Sequence, residues 1–85
     1  MKTFKLIIVS PKGNLFKDEV IKLSLRGIEG ELAVMAGHIP FITLVNPCDY
    51  CIEMSNGEEK TGHTDGGLLM ISHEEVTLLS RKNEI

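Results

Sequence analysis

The chain has 85 residues, of which 42% are hydrophobic and 25% charged, and its net charge is −3. At that length it is one small domain with a modest core, burying roughly 60–65% of its surface. The balance excludes a disordered chain, and an acidic charge without basic or aromatic clusters excludes the electrostatic footprint of a nucleic-acid binder.

The opening "MKTFKLIIVS" is basic and then apolar, like the start of a secretory leader. Its apolar part is too short, and "SPKGN" offers no small-residue cleavage site, so it reads as a strand. Phe4, Leu6 and Ile8 share one face, and Ile7 and Val9 the other. "PKGN" (11–14) is a turn, with Pro11 at a corner and Gly13 at a positive-φ position. "LFKDE" follows as a short strand. "VIKLSLR" reads as a second one, with Ile21, Leu23 and Leu25 on one face and Val20, Lys22 and Ser24 on the other. "GIEG" (27–30) turns, and "ELAVM" is extended again. After the "AGHIP" turn comes "FITLV", dense in β-branched and aromatic residues, which "NP" breaks. "DYCIEM" and "EKTGHT" flank "SNGE", whose Asn56-Gly57 is the strongest short hairpin signal in the chain. "DGG" (65–67) turns, and "LLMIS" and "EVTLLS" flank a tight "HE" connection. No apolar run reaches the about 18 residues of a membrane helix.

Period-two patterning with turn signals every few residues, and no sustained 3.6 period, predicts an all-β fold. The expected architecture is a two-sheet antiparallel β-sandwich or flattened barrel of about nine to ten short strands. Its core is expected from Phe4, Leu6, Leu23, Leu25, Leu32, Ile42, Leu44, Ile52, Leu69, Ile71 and Leu78. Residues 1–80 form this domain, and "RKNEI" (81–85) reads as the start of a further segment.

Motifs that carry chemistry are missing. Cys48 and Cys51 have C-x-x-C spacing, which suggests a redox pair or half a zinc site. Here they lie in a strand, where positions three apart point to opposite faces. The other metal-binding candidates, His38, His63 and His73, are scattered. The simpler reading is cysteine as a small apolar filler, with no metal and no functional disulfide. "DGGLL" is not a nucleophile elbow, and "GIEGELAVMAG" is not a dinucleotide-binding loop. Glu29 and Glu31 around Gly30 read either as a solvated loop or as an acidic tip shown to a partner. His38 reads as a hydrogen-bonded loop residue before it reads as a base. Gly66-Gly67 reads as a turn or bulge that side chains would block.

Three stretches together resemble a known family. "EGELAVMAGHIPFITLV" is similar to the E-G-E-L-G-I-x-P-G-H-x-P-L-L-T segment of the ATP synthase epsilon subunit. "FKLIIVSPKGNLFKDEVIKLSL" resembles that family's opening, a strand, then V-S/T-P-x-G, then a second strand. "NGEEK" and "DGGLLMISHEEVTLLS" resemble its later run, in which paired glycines precede F-L-E-V and V-T-V-L-A. The agreement is colinear over about residues 3–80. Met35-Ala36 replaces the usual x-Pro before Gly37, and Ala33 replaces a glycine. Cys48 stands where a glycine normally follows the proline, and Asp65 where Ser or Thr precedes the paired glycines.

The resemblance implies a non-catalytic rotor-stalk subunit with no cofactor. It would lie between the gamma subunit and the c-subunit ring, peripheral to the cytoplasmic face of a bacterial cell membrane. Residues 81–85 would begin the helical hairpin with which the family can brake ATP hydrolysis. Matching positions place Ser10, His38 and Thr43 toward gamma, and Glu29, Gly30 and Glu31 toward the c ring. A stand-alone β-sandwich adaptor or ligand-binding module is the alternative, and it would need a concave pocket with convergent polar groups.

Overall fold

The computed structural model describes residues 2–37, 39–81 and 83–84, the last two by backbone alone. Among them are nine strands and no helix: β1 (Phe4–Ser10), β2 (Gly13–Gly27), β3 (Gly30–Met35), β4 (Phe41–Val45), β5 (Cys48–Met54), β6 (Glu59–Thr64), β7 (Gly67–Ile71), β8 (Glu75–Ser80) and β9 (Asn83–Glu84). Residues 83–84, read from the sequence as part of a further segment, run antiparallel to β6.

The strands form two layers that share β2. The first half of β2 pairs with β1, and the layer continues through β8 and β7 to β4. The second half lies between β3 and β5, and that layer continues through β6 to β9. A single pairing, Gly27 with Val45, joins β2 to β4 and draws the layers together at one end. Every pairing is antiparallel except β1 with β8. That parallel contact between the first strand and the eighth depends on a long connection, and periodicity does not reveal it.

β2 is one strand of 15 residues, where the sequence suggested two. Its register with β5 steps from Val20 opposite Met54 to Lys22 opposite Glu53, so Ile21 is an extra residue. Such a bulge reverses which face the following side chains occupy and bends the strand. Val20 therefore joins Leu23 and Leu25 in the core, while Ile21 is only half-buried. The expected grouping of Ile21 with Leu23 and Leu25 fails for this reason.

Between the layers lie Phe4, Leu6, Ile8, Val20, Leu23, Leu25, Val34, Val45, Tyr50, Ile52, Leu69, Ile71, Val76 and Leu78. Eight of the eleven expected core residues are among them, Leu32 packs against their edge, and two are misplaced. Ile42 and Leu44 are 64% and 55% exposed, and Val45 is the buried residue of β4. "FITLV" is apolar at both parities, so its pattern could not say which residues face inward.

Two glycine positions are dictated by packing. The Tyr50 ring lies over Gly62 on the neighbouring strand, and a Cβ there would meet its hydroxyl and ring carbons at 2.5–3.0 Å. A Cβ on Gly67 would reach the Leu79 carbonyl oxygen at 2.0 Å, so β7 approaches β8 more closely than any side chain permits. The expected Asn56-Gly57 hairpin is present. The Asn56 amide oxygen accepts the Glu58 amide at 2.9 Å, and Gly57 takes a φ of +92°.

Candidate functional site

The two layers turn different chemistry outward. Along β4, β7, β8 and β1, the residues facing away from the core line up in two rows. One row is Leu44, Leu68, Leu79 and Val9, and the other is Ile42, Met70, Thr77 and Ile7. Seven of the eight are hydrophobic. Leu79 is 38% exposed, beside the more exposed Ile42 and Leu44. Contiguous apolar surfaces of this kind are where soluble proteins commonly meet partners.

The outer face of the other layer is polar. Lys22 on β2 stands opposite Glu53 on β5, which stands opposite Glu59 on β6. A parallel row runs Ala33, Ser24, Cys51 and Thr61. Arg26 stands opposite Glu31, and Asp49 opposite His63. The opposite charges of Lys22–Glu53 and Arg26–Glu31 support the sheet, the like-charged Glu53 and Glu59 oppose it, and together they keep the face solvated.

At one end of the molecule the pairings Gly27–Val45, Val45–Gly67 and Gly67–Ser80 bring four chain segments together. The Ile28–Glu29 turn, the Asn46-Pro47 connection, the Asp65-Gly66 turn and Arg81 cluster there around an open cleft of about 440 Å³. Hydrogen bonds fix the cluster. Asn46 donates its backbone amide to the Arg26 carbonyl and its side-chain amide to the Gly27 carbonyl. Arg81 donates its backbone amide to the Gly66 carbonyl at 2.8 Å. The buried hydroxyls of Thr64 and Ser80 lie 2.6 Å apart.

The residues singled out in the sequence fall differently on this frame. Ser10 ends β1 half-buried; its hydroxyl accepts the Lys12 amide and donates to the Gly13 carbonyl, so it closes its own turn. Thr43 pairs with the buried Leu69, shares its inward parity and is half-buried, so its neighbours Ile42 and Leu44 hold the exposed positions. Ser10 and Thr43 lie in one layer with β8 and β7 between their strands. His38 lies outside the described residues. Glu29 is exposed in the turn with Ile28, and Gly30, at a φ of +122°, begins β3. Glu31 lies on the strand opposite Arg26, and the turn itself carries Glu29. Sequence reasoning missed the outward row of Ile42 and Leu44. The signal was present in the four runs "LIIV", "FITLV", "LLMI" and "VTLL", which lack the polar alternation of a strand with one wet face.

The cysteines split between faces. Cys48 packs against the core, and its sulfur accepts the Arg26 amide at 3.4 Å. Cys51 lies on the polar face, where burial pushes its thiol above the ordinary range, Glu59 and Glu53 add to the rise, and Lys22 opposes it. A thiol held protonated is a poor nucleophile. Among the described residues no three His, Cys, Asp or Glu side chains are grouped to hold a metal ion.

Residues 3–84 match the family described as "ATP synthase, Delta/Epsilon chain, beta-sandwich domain". The chain is 38% identical over 80 residues to the ATP synthase epsilon chain of Psychrobacter arcticus, covering 94% of this chain and 58% of that one. It is 37% identical over 79 residues to the "ATP synthase epsilon chain, sodium ion specific" of Acetobacterium woodii, covering 93% and 59% respectively. The chain thus spans less than two thirds of the length of these curated relatives. Among solved structures, a chain of the Euglena gracilis mitochondrial ATP synthase (OSCP/F1/c-ring, rotational state 1) superposes with a TM-score of 0.89 at 20% identity, covering 95% of this chain and 52% of that one. At that identity the superposition establishes the common fold.

Proposed function

The chain belongs to the ATP synthase Delta/Epsilon chain beta-sandwich family, and from that premise we propose that it is a non-catalytic subunit of the central stalk of an F-type ATP synthase. It joins the gamma subunit to the ring of c subunits and couples ion passage through the ring to ATP synthesis. It stands peripheral to the membrane, at the cytoplasmic face of a bacterial cell, and needs no cofactor.

One observation carries this reading: the apolar outer face of the β4, β7, β8 and β1 layer. A subunit that transmits torque needs a broad dry contact on a stiff body, because a contact that slips dissipates rotation. Ile42, Leu44, Leu68 and Leu79 supply adjacent apolar side chains, and the strands beneath them are locked by the shared core. This face is the seat for gamma. Ser10 and Thr43 support it, Ser10 by holding the β1–β2 turn and Thr43 by filling the inward side of β4. His38, between β3 and β4 in the chain, belongs to the same interface. The loop end that carries Glu29, Gly30 and the start of β3 with Glu31 faces the polar loops of the c ring.

The alternative, a free adaptor or ligand-binding module, would use a pocket with convergent polar groups. The open cleft at the loop end is lined mostly by apolar residues and glycines, with Asn46, Asp65 and Arg81 its polar side chains, and it is the apolar outer face that favours the stalk reading. The test is reconstitution. Added to an epsilon-depleted motor, the 85-residue chain is expected to restore ion-coupled ATP synthesis. A chain that binds neither gamma nor the depleted motor would contradict the proposal.

A further inference from the structure

His63 on β6 stands between two carboxylates. Its Nδ1 lies 2.8 Å from an Asp49 oxygen on β5, and its Nε2 lies 3.4 Å from an Asp65 oxygen in the β6–β7 turn. A neutral imidazole has one N–H donor and one acceptor nitrogen, whereas an imidazolium has two donors. Ionised carboxylates only accept. Both contacts are therefore favourable together only when the ring is protonated. With the proton kept on Nδ1 for the shorter Asp49 contact, a neutral ring turns the Nε2 lone pair toward the Asp65 carboxylate, and the two repel.

Asp65 stands next in the chain to the residues that hold the end of β8. Its neighbour Gly66 accepts the Arg81 backbone amide at 2.8 Å, and Thr64 is bonded to Gly66 and lies 2.6 Å from the Ser80 hydroxyl. β9 pairs with β6 at His63 and Thr64 themselves. The residues beside the histidine are thus those that hold Arg81 and β9.

We propose that His63 is a proton-operated clamp: as imidazolium it holds Asp49 and Asp65 through its two ring nitrogens, and by fixing the Asp65 turn it fixes Arg81 and β9. The clamp needs no part of the stalk reading and stands if that reading fails. The charged groups around it are Asp49 from β5 and Asp65 from the turn, with Arg81 in the same cleft as Asp65. Glu84 is opposite His63 in the β9 register, and Arg26 and Glu31 form the adjoining cross-strand pair. The hydrogen bond to Asp49 raises the His63 pKa most; the charges of Asp49 and Asp65 and the bond to Asp65 add to it, and desolvation opposes. A pKa raised in the folded state means that the clamp contributes fully below the unfolded value, about 6.5. Its contribution is lost as pH rises through the folded value.

The experiment is a proton NMR titration of the 85-residue chain, with the His63 ring signal assigned by its disappearance in His63→Gln. The His63 midpoint is expected above the ordinary histidine range. Asp65→Asn is expected to lower it, and Asp49→Asn to lower it further. In parallel, exchange of the Arg81 amide, corrected for its intrinsic pH dependence, is expected to speed up as pH passes that midpoint and to show no such step in His63→Gln. An unchanged midpoint in Asp65→Asn would overturn the double contact. An Arg81 exchange profile identical in wild type and His63→Gln would overturn the link to Arg81 and β9.

Discussion

The two outer faces of this sandwich are both made by β-strands that share one core, yet one face is apolar and the other is charged and polar. The difference lies in what each must meet. Lys22, Glu53 and Glu59, aligned across β2, β5 and β6, keep their layer soluble with no partner. Ile42, Leu44, Leu68 and Leu79, aligned across β4, β7 and β8, leave apolar area in water unless something covers it. Burying side chains of this type is worth about 1.5–3 kcal/mol each, so a few adjacent ones suffice to hold a partner. In the proposed stalk reading the sandwich has one core for its own fold and half of another for an assembly.

The sharpest way to break the comparison is to remove equal volumes from the inner core and from the apolar outer face. Leu23 is fully buried and Ile42 is 64% exposed, although both look like core residues in the sequence. Leu23→Ala is expected to cost about 2–5 kcal/mol in urea or thermal unfolding of the isolated domain. Ile42→Ala should stay within about 0.5 kcal/mol of wild type. Equal losses would mean that Ile42 packs inward after all.

Next in size is partner binding. Ile42→Asp with Leu44→Asp should weaken binding to gamma about a hundredfold or more, since about 3 kcal/mol or more of apolar burial is lost. The fold should survive, because both sites are exposed. Exchanging the charges of Lys22 and Glu53 on the other face should leave gamma binding unchanged. Thr43→Glu separates the two roles of β4. It faces inward beside Leu69, so the loss should appear first as stability, about 1–3 kcal/mol by thermal unfolding, even without gamma.

How far the sequence reveals this arrangement depends on the strand. In β5 the alternation of "DYCIEM" puts Tyr50 and Ile52 on one face, and both are buried. β2 misleads because a bulge at Ile21 changes the parity halfway along a single strand, and nothing local announces it. β4 misleads because the one polar residue of "FITLV", Thr43, shares the inward parity of Leu69 and so does not mark the outer side. Read together, however, the apolar runs in β1, β4, β7 and β8 all fall in one layer, and a strand apolar at both parities implies a cover on both faces. The proposed interface residues Ser10, Thr43, Glu29 and Glu31 rest on family resemblance, which gives positions along the chain without giving their orientation. Hence Thr43 is half-buried and the adjacent Ile42 and Leu44 hold the exposed sites. The His63 contacts escaped notice because Asp49 lies fourteen residues away. Only the β5–β6 register brings them together.

The smallest expected effects belong to the acidic loop end. Glu29→Lys and Glu31→Lys together change that end by four charge units, from −2 to +2, and should disturb seating on the c ring. Each substitution alone should change little, because exposed pairs are worth about 0–1 kcal/mol. Glu29, in the turn, should matter more to assembly than Glu31, which stands opposite Arg26. Proton pumping by motors reconstituted with the single and double variants gives the ranking; unimpaired pumping with the double variant would exclude the acidic end as a ring contact.

The central claim is that the face carrying Ile42, Leu44, Leu68 and Leu79 is the one a stalk partner covers. Methyl NMR of the labelled 85-residue chain, titrated with gamma, tests it most directly. The account predicts that the methyl signals of these four residues shift or broaden first and furthest, while those of Ala33 and Thr61 on the polar face hold their positions. Perturbation centred on Ala33 and Thr61, with Ile42 and Leu44 unmoved, would contradict it.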